Sequence, residues 1–236
     1  MMLPPADIYA VLEATWPPAA RQSLGPWCIR DGQGGGKRVS AATAEGDWTA
    51  QDIPAAETAM QALGQPALFL IRDGDAALDA ELASRGYRIV DPVVAYAAPC
   101  DTIAPPDLMT AFPHWPPLGI ARDLWEAEGI GPERLAVMDR AAGPKTVILG
   151  RAGDRAAGVA FVAIHGPSAM LHALEVAPDR RRLGVASNIL RASAHWAQDN
   201  GAGTLSLVVT TANAGARALY ASLGLQAMGQ YHYRQK

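Results

Sequence analysis

The order in which apolar runs change their period is the tightest constraint in this chain. From Lys145 onward, three β-branched runs follow one another: Lys145 to Arg151, Gly158 to His165 and Met170 to Val176. A long helical pattern comes next, with Val185, Ile189, Ala192, Trp196 and Ala197 at helical spacing and a stop at Gly201. Leu205 to Val209 reads as a further strand. A second helix is predicted from Asn213, its N-cap, through Ala216, Leu219, Tyr220 and Leu223 to Gly224, and Leu225 to Tyr233 closes as a strand. The order β-β-β-α-β-α-β calls for a mixed central sheet flanked by helices, an α/β layered architecture.

The first half carries weaker signals. Trp27 to Arg30 and Lys37 to Ala42 are expected to pair as a hairpin across the glycine-rich stretch Asp31 to Gly36. Pro54 to Leu63 and Ala76 to Ser84 read as helices, and Ala67 to Arg72 and Tyr87 to Ala97 as strands. The helix end Leu82-Ala83-Ser84-Arg85-Gly86-Tyr87 matches Tyr220-Ala221-Ser222-Leu223-Gly224-Leu225, which suggests an internal repeat. Residues 101–117 are dense in proline and are expected to link an accessory domain, 1–100, to a second domain, 118–236.

Composition excludes several classes. Half of the 236 residues are hydrophobic and 18% are charged, which argues for a packed core and against disorder. A formal charge of −3 provides no basic field for nucleic acid. No apolar run reaches membrane-span length, and the first seven residues, Met1 to Asp7, lack the pattern of a signal peptide, so a cytoplasmic protein with no membrane partner is expected. Cys28 and Cys100 are too few for a disulfide framework, and the histidines have no ligand spacing, so no metal is expected.

The segment Val176-Ala177-Pro178-Asp179-Arg180-Arg181-Arg182-Leu183-Gly184-Val185-Ala186 joins a strand to the long helix. Free N–H groups and the positive dipole end at a helix start favour an anion, Gly184 allows close backbone approach, and Arg181 and Arg182 add charged donors. Gly32 to Arg38 is not a nucleotide P-loop, because Asp31 stands at its first glycine and Arg38 at its Ser/Thr position. It reads as a hairpin tip. Arg181, Gly184 and Ala186 resemble the acyl-CoA pyrophosphate loop of the GCN5-related N-acetyltransferases (GNAT), Gln/Arg-x-x-Gly-x-Gly/Ala. Asn213, Ala216, Leu219, Tyr220, Leu223 and Gly224 resemble the family's Asn-x-x-Ala-x-x-Leu-Tyr-x-x-Leu-Gly-Phe, with Leu225 in place of the Phe.

This resemblance covers residues 118–236 and implies a GNAT-like fold in which acetyl-CoA is the co-substrate, an amine the acceptor, and the acetyl group is transferred directly. Its implied CoA contacts are Leu174, Val176, Arg181, Arg182, Leu183, Gly184, Val185, Ala186, Ser187, Asn213 and Ala216. Tyr220 is implied as the acid that protonates the leaving thiolate, and backbone N–H groups near Leu174 to Val176 as donors to the oxyanion. For the base, His172 and Glu175 are both candidates. Strict alternation would turn them to opposite faces of their strand, and a bulge would bring them together. His172-Ala173-Leu174-Glu175-Val176 is similar to the His-Ala-Leu-x-Val segment of arylalkylamine acetyltransferases. Trp115, Trp125 and Tyr231 are candidate acceptor-pocket walls. The first half has no such phosphate loop, so it is expected to be a degenerate copy that binds no CoA. The readings left open are a monomer or a homodimer, and a catalyst or a non-catalytic acyl-CoA-binding regulatory module.

Overall fold

The computed structural model describes residues 5–236. Its first half contains α1 (Pro5–Thr15), β1 (Ala20–Leu24), β2 (Trp27–Asp31), α2 (Lys37–Ser40), β3 (Thr43–Ala44), α3 (Ile53–Ala62), β4 (Leu68–Arg72), α4 (Ala76–Ser84) and β5 (Arg88–Pro99). The rest contains β6 (Ala111–His114), α5 (Gly119–Ala127), α6 (Pro132–Arg140), β7 (Lys145–Ala152), β8 (Arg155–His165), β9 (Ser168–Val176), α7 (Val185–Asp199), β10 (Thr204–Thr210), α8 (Ala214–Ser222) and β11 (Gln226–Gln235). A mixed eight-stranded sheet runs β4-β11-β5-β10-β9-β8-β7-β6, and β1-β2-β3 form a small separate sheet. Within the large sheet only β9 and β10 are parallel neighbours.

The layers follow from side-chain alternation. On β8, Ala160, Val162 and Ile164 pack with Ile189 and Leu190 of α7 and Tyr220 of α8. The intervening Val159, Phe161 and Ala163 pack with Trp125 of α5, Val137 and Met138 of α6, and Trp16 just after α1. Both faces of β8 are therefore covered, which is why Gly158 to Ile164 reads as an unbroken apolar run. In the first half, α3 and α4 bury Ile53, Met60, Leu78 and Leu82 against Phe69 and Ile71 of β4.

The two helix-Gly-strand junctions produce an exchange of strands. β5 leaves α4 and lies between β10 and β11, while β11 leaves α8 and lies between β4 and β5. The shift in numbering that carries Leu82 onto Tyr220 and Gly86 onto Gly224 also carries the pair Arg88↔Gln235 onto Gln226↔Ala97. It likewise carries Arg72↔Tyr231 onto Thr210↔Val93. The centre of the sheet thus has local two-fold symmetry in its hydrogen-bond register, and each half completes the other's sheet.

Other segments depart from the sequence expectations. Lys37–Ala42 does not pair with β2. Lys37–Ser40 is a short helix, and β2 pairs instead with β1 and with Thr43 and Ala44 of β3. Val39, fully buried, points into the core from this helix, while Arg38 projects elsewhere. Residues 101–117, expected as a linker, run from β5 in the middle of the sheet to its edge, where Ala111 to His114 form β6 against β7. Helices α1, α5 and α6 and strand β1 had no counterpart in the sequence reading.

α7 sits close to the sheet because Gly150 of β7 and Gly158 of β8 are cross-strand partners beneath it. A Cβ on Gly150 would lie 2.7 Å from Ile189 Cδ1, and one on Gly158 would lie 2.8 Å from the Glu175 carbonyl oxygen and 2.9 Å from Val185 Cγ1. Overpacking of this kind costs about 1–3 kcal/mol. Gly158→Ala is therefore expected to lower urea-unfolding stability by that amount. Gly203→Ala, where a Cβ meets nothing within 4 Å, should stay within about 0.5 kcal/mol of the parent. Equal stability of the two variants would contradict this packing.

Candidate active site

β9 and β10 run parallel only from Ser168↔Thr204 to Leu171↔Leu207. Beyond Leu171 the strands part, so residues 172–176 present a backbone edge that no longer pairs with β10. On its other side, β9 stays paired to β8 through a bulge: Phe161 faces His172, yet Val159 faces Glu175. Ala173 adopts φ 51°, and its carbonyl accepts a hydrogen bond from the Trp125 indole N–H at 2.8 Å. Trp125 is fully buried, so it props the bulge from below. Because the β8 partners of His172 and Glu175 are two residues apart, the two side chains share a face. The strict alternation that would separate them is broken by the bulge.

The opening between the strands is a cavity of about 400 Å³. Its walls include Leu174, Glu175, Val209, Asn213 and Tyr220 from the second half, and Trp16, Gly36, Arg38, Asp91 and Val93 from the first. Tyr220 is 5% exposed, with its ring centroid 5.8 Å from that of Tyr96 on the exchanged strand β5. Burial, reinforced by Glu175 and Tyr96, pushes its phenol up to about 12, so it carries a proton throughout the neutral range. Glu175 is half-buried. Burial is the largest influence raising its carboxyl above the ordinary value, followed by repulsion from Glu128, with Arg181 and Arg134 opposing.

His172 sits in a different environment. Thr15 Oγ1 donates to the Val11 carbonyl at 2.7 Å and lies 2.8 Å from His172 Nε2. The threonine proton is thus engaged, so Nε2–H is the donor to Oγ1, and Nδ1 accepts from Arg38 Nη1 at 3.2 Å. Burial, and secondarily the Arg38 charge, hold the imidazole well below its usual pKa. A neutral ring with both nitrogens engaged, stacked 4.9 Å from Trp16, is suited to positioning Arg38.

The segment expected to hold a phosphate follows the bulge. A 3₁₀ turn, Pro178–Arg180, leads to Arg182 at φ 66° and Gly184 at φ 78°, the N-cap of α7. No side chain caps α7, so the N–H groups of Val185, Ala186 and Ser187 are left for an anion. A Cβ on Gly184 would meet nothing nearer than Asn188 Nδ2 at 4.0 Å, so its left-handed backbone leaves the approach open. Leu183 and Arg182 are exposed beside it. Arg181 instead reaches back, donating to the Val176 carbonyl at 3.1 Å and to Glu128 Oε2 at 3.1 Å, and so ties the loop to the end of β9. Asn213 accepts from the Ala216 N–H at 3.0 Å and caps α8 at the cavity wall. These features fit an acyl-CoA: an uncapped helix start for the pyrophosphate, and a free strand edge at Leu174 to Val176 for the pantetheine amides.

Of the three aromatic residues proposed as acceptor walls, Tyr231 lines the cavity, whereas Trp125 underpins the bulge and Trp115 lies over Lys145 Nζ at 4.8 Å. The sequence reading missed Trp16, Arg38 and Arg134 as wall residues. Arg38 was visible only as a mismatch to a P-loop.

Residues 111–225 match the family model described as "Acetyltransferase (GNAT) family". A Bacillus subtilis (strain 168) protein described as "Uncharacterized N-acetyltransferase YobR" is 28% identical over 239 aligned residues, covering 94% of this chain and 95% of that one. A solved GCN5-related N-acetyltransferase from Kribbella flavida superposes with a TM-score of 0.73 at 16% identity, covering 100% of this chain and 96% of that chain. A tandem GNAT protein from the clavulanic acid biosynthesis pathway superposes with a TM-score of 0.63 at 12% identity, covering 100% of this chain and 89% of that chain. The splayed parallel strands and the uncapped helix N-terminus both lie within residues 111–225, the part of the chain that is similar to the GNAT family.

Proposed function

We propose that this protein transfers the acetyl group of acetyl-CoA directly to a primary amine of a small molecule, using one site per chain. The observation that carries the reading is the opening between β9 and β10, with Tyr220 and Glu175 on its walls and the uncapped start of α7 at its end. Bound acetyl-CoA supplies the activated thioester. Residues Val185 to Ser187 offer backbone donors to its pyrophosphate, and the bulged edge at Leu174 to Val176 offers donors to its amides and to the carbonyl oxygen on which negative charge develops.

Glu175 accepts the proton that the amine must lose, directly or through water, and burial keeps its basicity above that of an exposed carboxylate. As the nitrogen–carbon bond forms and the carbon–sulfur bond breaks, Tyr220 gives its proton to the departing sulfur. Solvent then returns the proton taken by Glu175 to the phenol. Of the two candidate bases, Glu175 is favoured because both nitrogens of His172 are engaged. The first half acts as a wall, since no Arg-x-x-Gly-x-Ala loop precedes residue 100.

Calorimetric titration with acetyl-CoA should give one site per chain, lost or strongly weakened in an Arg181→Ala, Gly184→Asp double variant. No binding, or undiminished binding by that variant, would sink the assignment. General acid–base groups contribute about 10²–10⁴-fold. Tyr220→Phe should therefore reduce kcat by at least about 100-fold while acetyl-CoA affinity changes little. In the parent, kcat/KM should rise with pH through a group above the ordinary carboxylate value of 4.5, because the deprotonated form of Glu175 is the active one. That acid limb should vanish in Glu175→Gln. A limb retained in that variant would move the base elsewhere.

A further inference from the structure

None of the residues proposed to hold acetyl-CoA comes from the end of the cavity that the first half builds, and the chemistry of that end is distinctive. Arg38 enters it from α2, with Nη1 fixed by His172 Nδ1 at 3.2 Å and its guanidinium 5.8 Å from the Trp16 ring centroid. Arg30 pairs with Glu13 and Lys37 pairs with Asp91, but Arg38 pairs with no carboxylate among the described residues. The Asp91 carboxylate reaches the same cavity, and Lys37 Nζ neutralises it at 2.7 Å. Beside Arg38, Tyr231 is 3% exposed, and its buried hydroxyl lies near Arg38 and Tyr233 without a well-formed hydrogen bond to either. Arg134 adds a second cation at the wall, 3.8 Å from where a Cβ on Gly36 would lie. A half-buried guanidinium without a carboxylate partner among the described residues, next to a buried hydroxyl that makes no well-formed hydrogen bond, lacks an anionic acceptor.

The geometry points to an acceptor that is itself an anion: we infer that the amine substrate carries a carboxylate, bound by Arg38 and the Tyr231 hydroxyl, so that the substrate class is amino acids or short amino-acid derivatives. The inference rests on the acetyl-transfer reading and names its acceptor. Charge runs the same way along the cavity. His172, which holds Arg38, and Glu175, which faces the amine, share one face of β9 and oppose β8 residues two positions apart, about 7 Å. Arg38 and Glu175 line the same cavity, so a zwitterion can set its carboxylate on the guanidinium and its amino group at Glu175. Guanidinium–carboxylate pairing is directional and bidentate, which matches a single planar anion better than a diffuse charged surface.

The test uses the full chain, acetyl-CoA and matched amines assayed by thiol release: lysine against cadaverine, ornithine against putrescine, phenylalanine against phenethylamine, and β-alanine against ethylamine. O-Phosphoethanolamine serves as the alternative anion. At least one carboxylated member should exceed its decarboxylated partner by roughly 100-fold or more in kcat/KM. In Arg38→Gln that ratio should collapse to below about 3-fold, chiefly through KM. Arg38→Lys should recover part of it, and Tyr231→Phe, which removes only the hydroxyl, should raise KM for the carboxylated amine about 10-fold. Acetyl-CoA titration of each variant reports that the fold is intact. Equal or better use of the decarboxylated amines, or preference for the phosphorylated amine, overturns the inference and leaves acetyl transfer standing. Acetyl-CoA binding with no turnover of any amine overturns acetyl transfer, and this inference with it.

Discussion

The parting of β9 from β10 after Leu171 is the constraint on which the rest of the site depends. Two parallel strands that stayed paired would satisfy each other's backbone groups and leave no edge for a ligand. The bulge makes the parting sustainable. It turns the Ala173 carbonyl onto the buried Trp125 indole while β9 stays paired with β8 on either side, its register shifted by one residue. The same irregularity places His172 and Glu175 on one face, so one backbone defect creates both the unpaired edge and the orientation of two candidate site residues. α7 then has to start where β9 ends, and the facing glycines Gly150 and Gly158 let it lie close enough to do so.

The exchange of β5 and β11 explains the length of the chain in structural terms. Neither half has a complete central sheet, because each contributes its last strand to the other. β5 supplies Tyr96 beside Tyr220 and Val93 to the cavity wall, while β11 carries Tyr231 and Tyr233 to the first half. Arg38, held by His172 across the junction, extends this interdependence into the site. In the proposed reading, acceptor recognition falls to a half that has no Arg-x-x-Gly-x-Ala loop of its own.

Much of this was legible in the sequence because local chemistry and tertiary role coincide. Gly184 before a long amphipathic helix, Asn213 before Ala216, and Tyr220 three residues before Leu223-Gly224 each announce a backbone requirement at one place. The apolar run of β8 announced burial on both faces. The parts that stayed hidden depend on distant partners. The Ala173 bulge needs Trp125, 48 residues earlier, and nothing in His172-Ala173-Leu174-Glu175 alone shows which way the strand will break. Lys37 to Ser40 has no periodicity of its own, and its two tertiary contacts, Val39 in the core and Arg38 on His172, lie with distant residues. α5 is amphipathic but only nine residues long, with two buried residues, Ala121 and Trp125, too short a signal to see in advance.

In the proposed binding mode, the edge opened by the bulge and the start of α7 receive acetyl-CoA, and the first half does not. Residue-resolved amide hydrogen exchange of the full chain, with and without saturating acetyl-CoA, tests this most directly. The account predicts new protection at Leu174 to Val176 and Leu183 to Ser187, with β4 and α4 unchanged. Protection confined to the first half, or none at the bulge and the helix start, would contradict it.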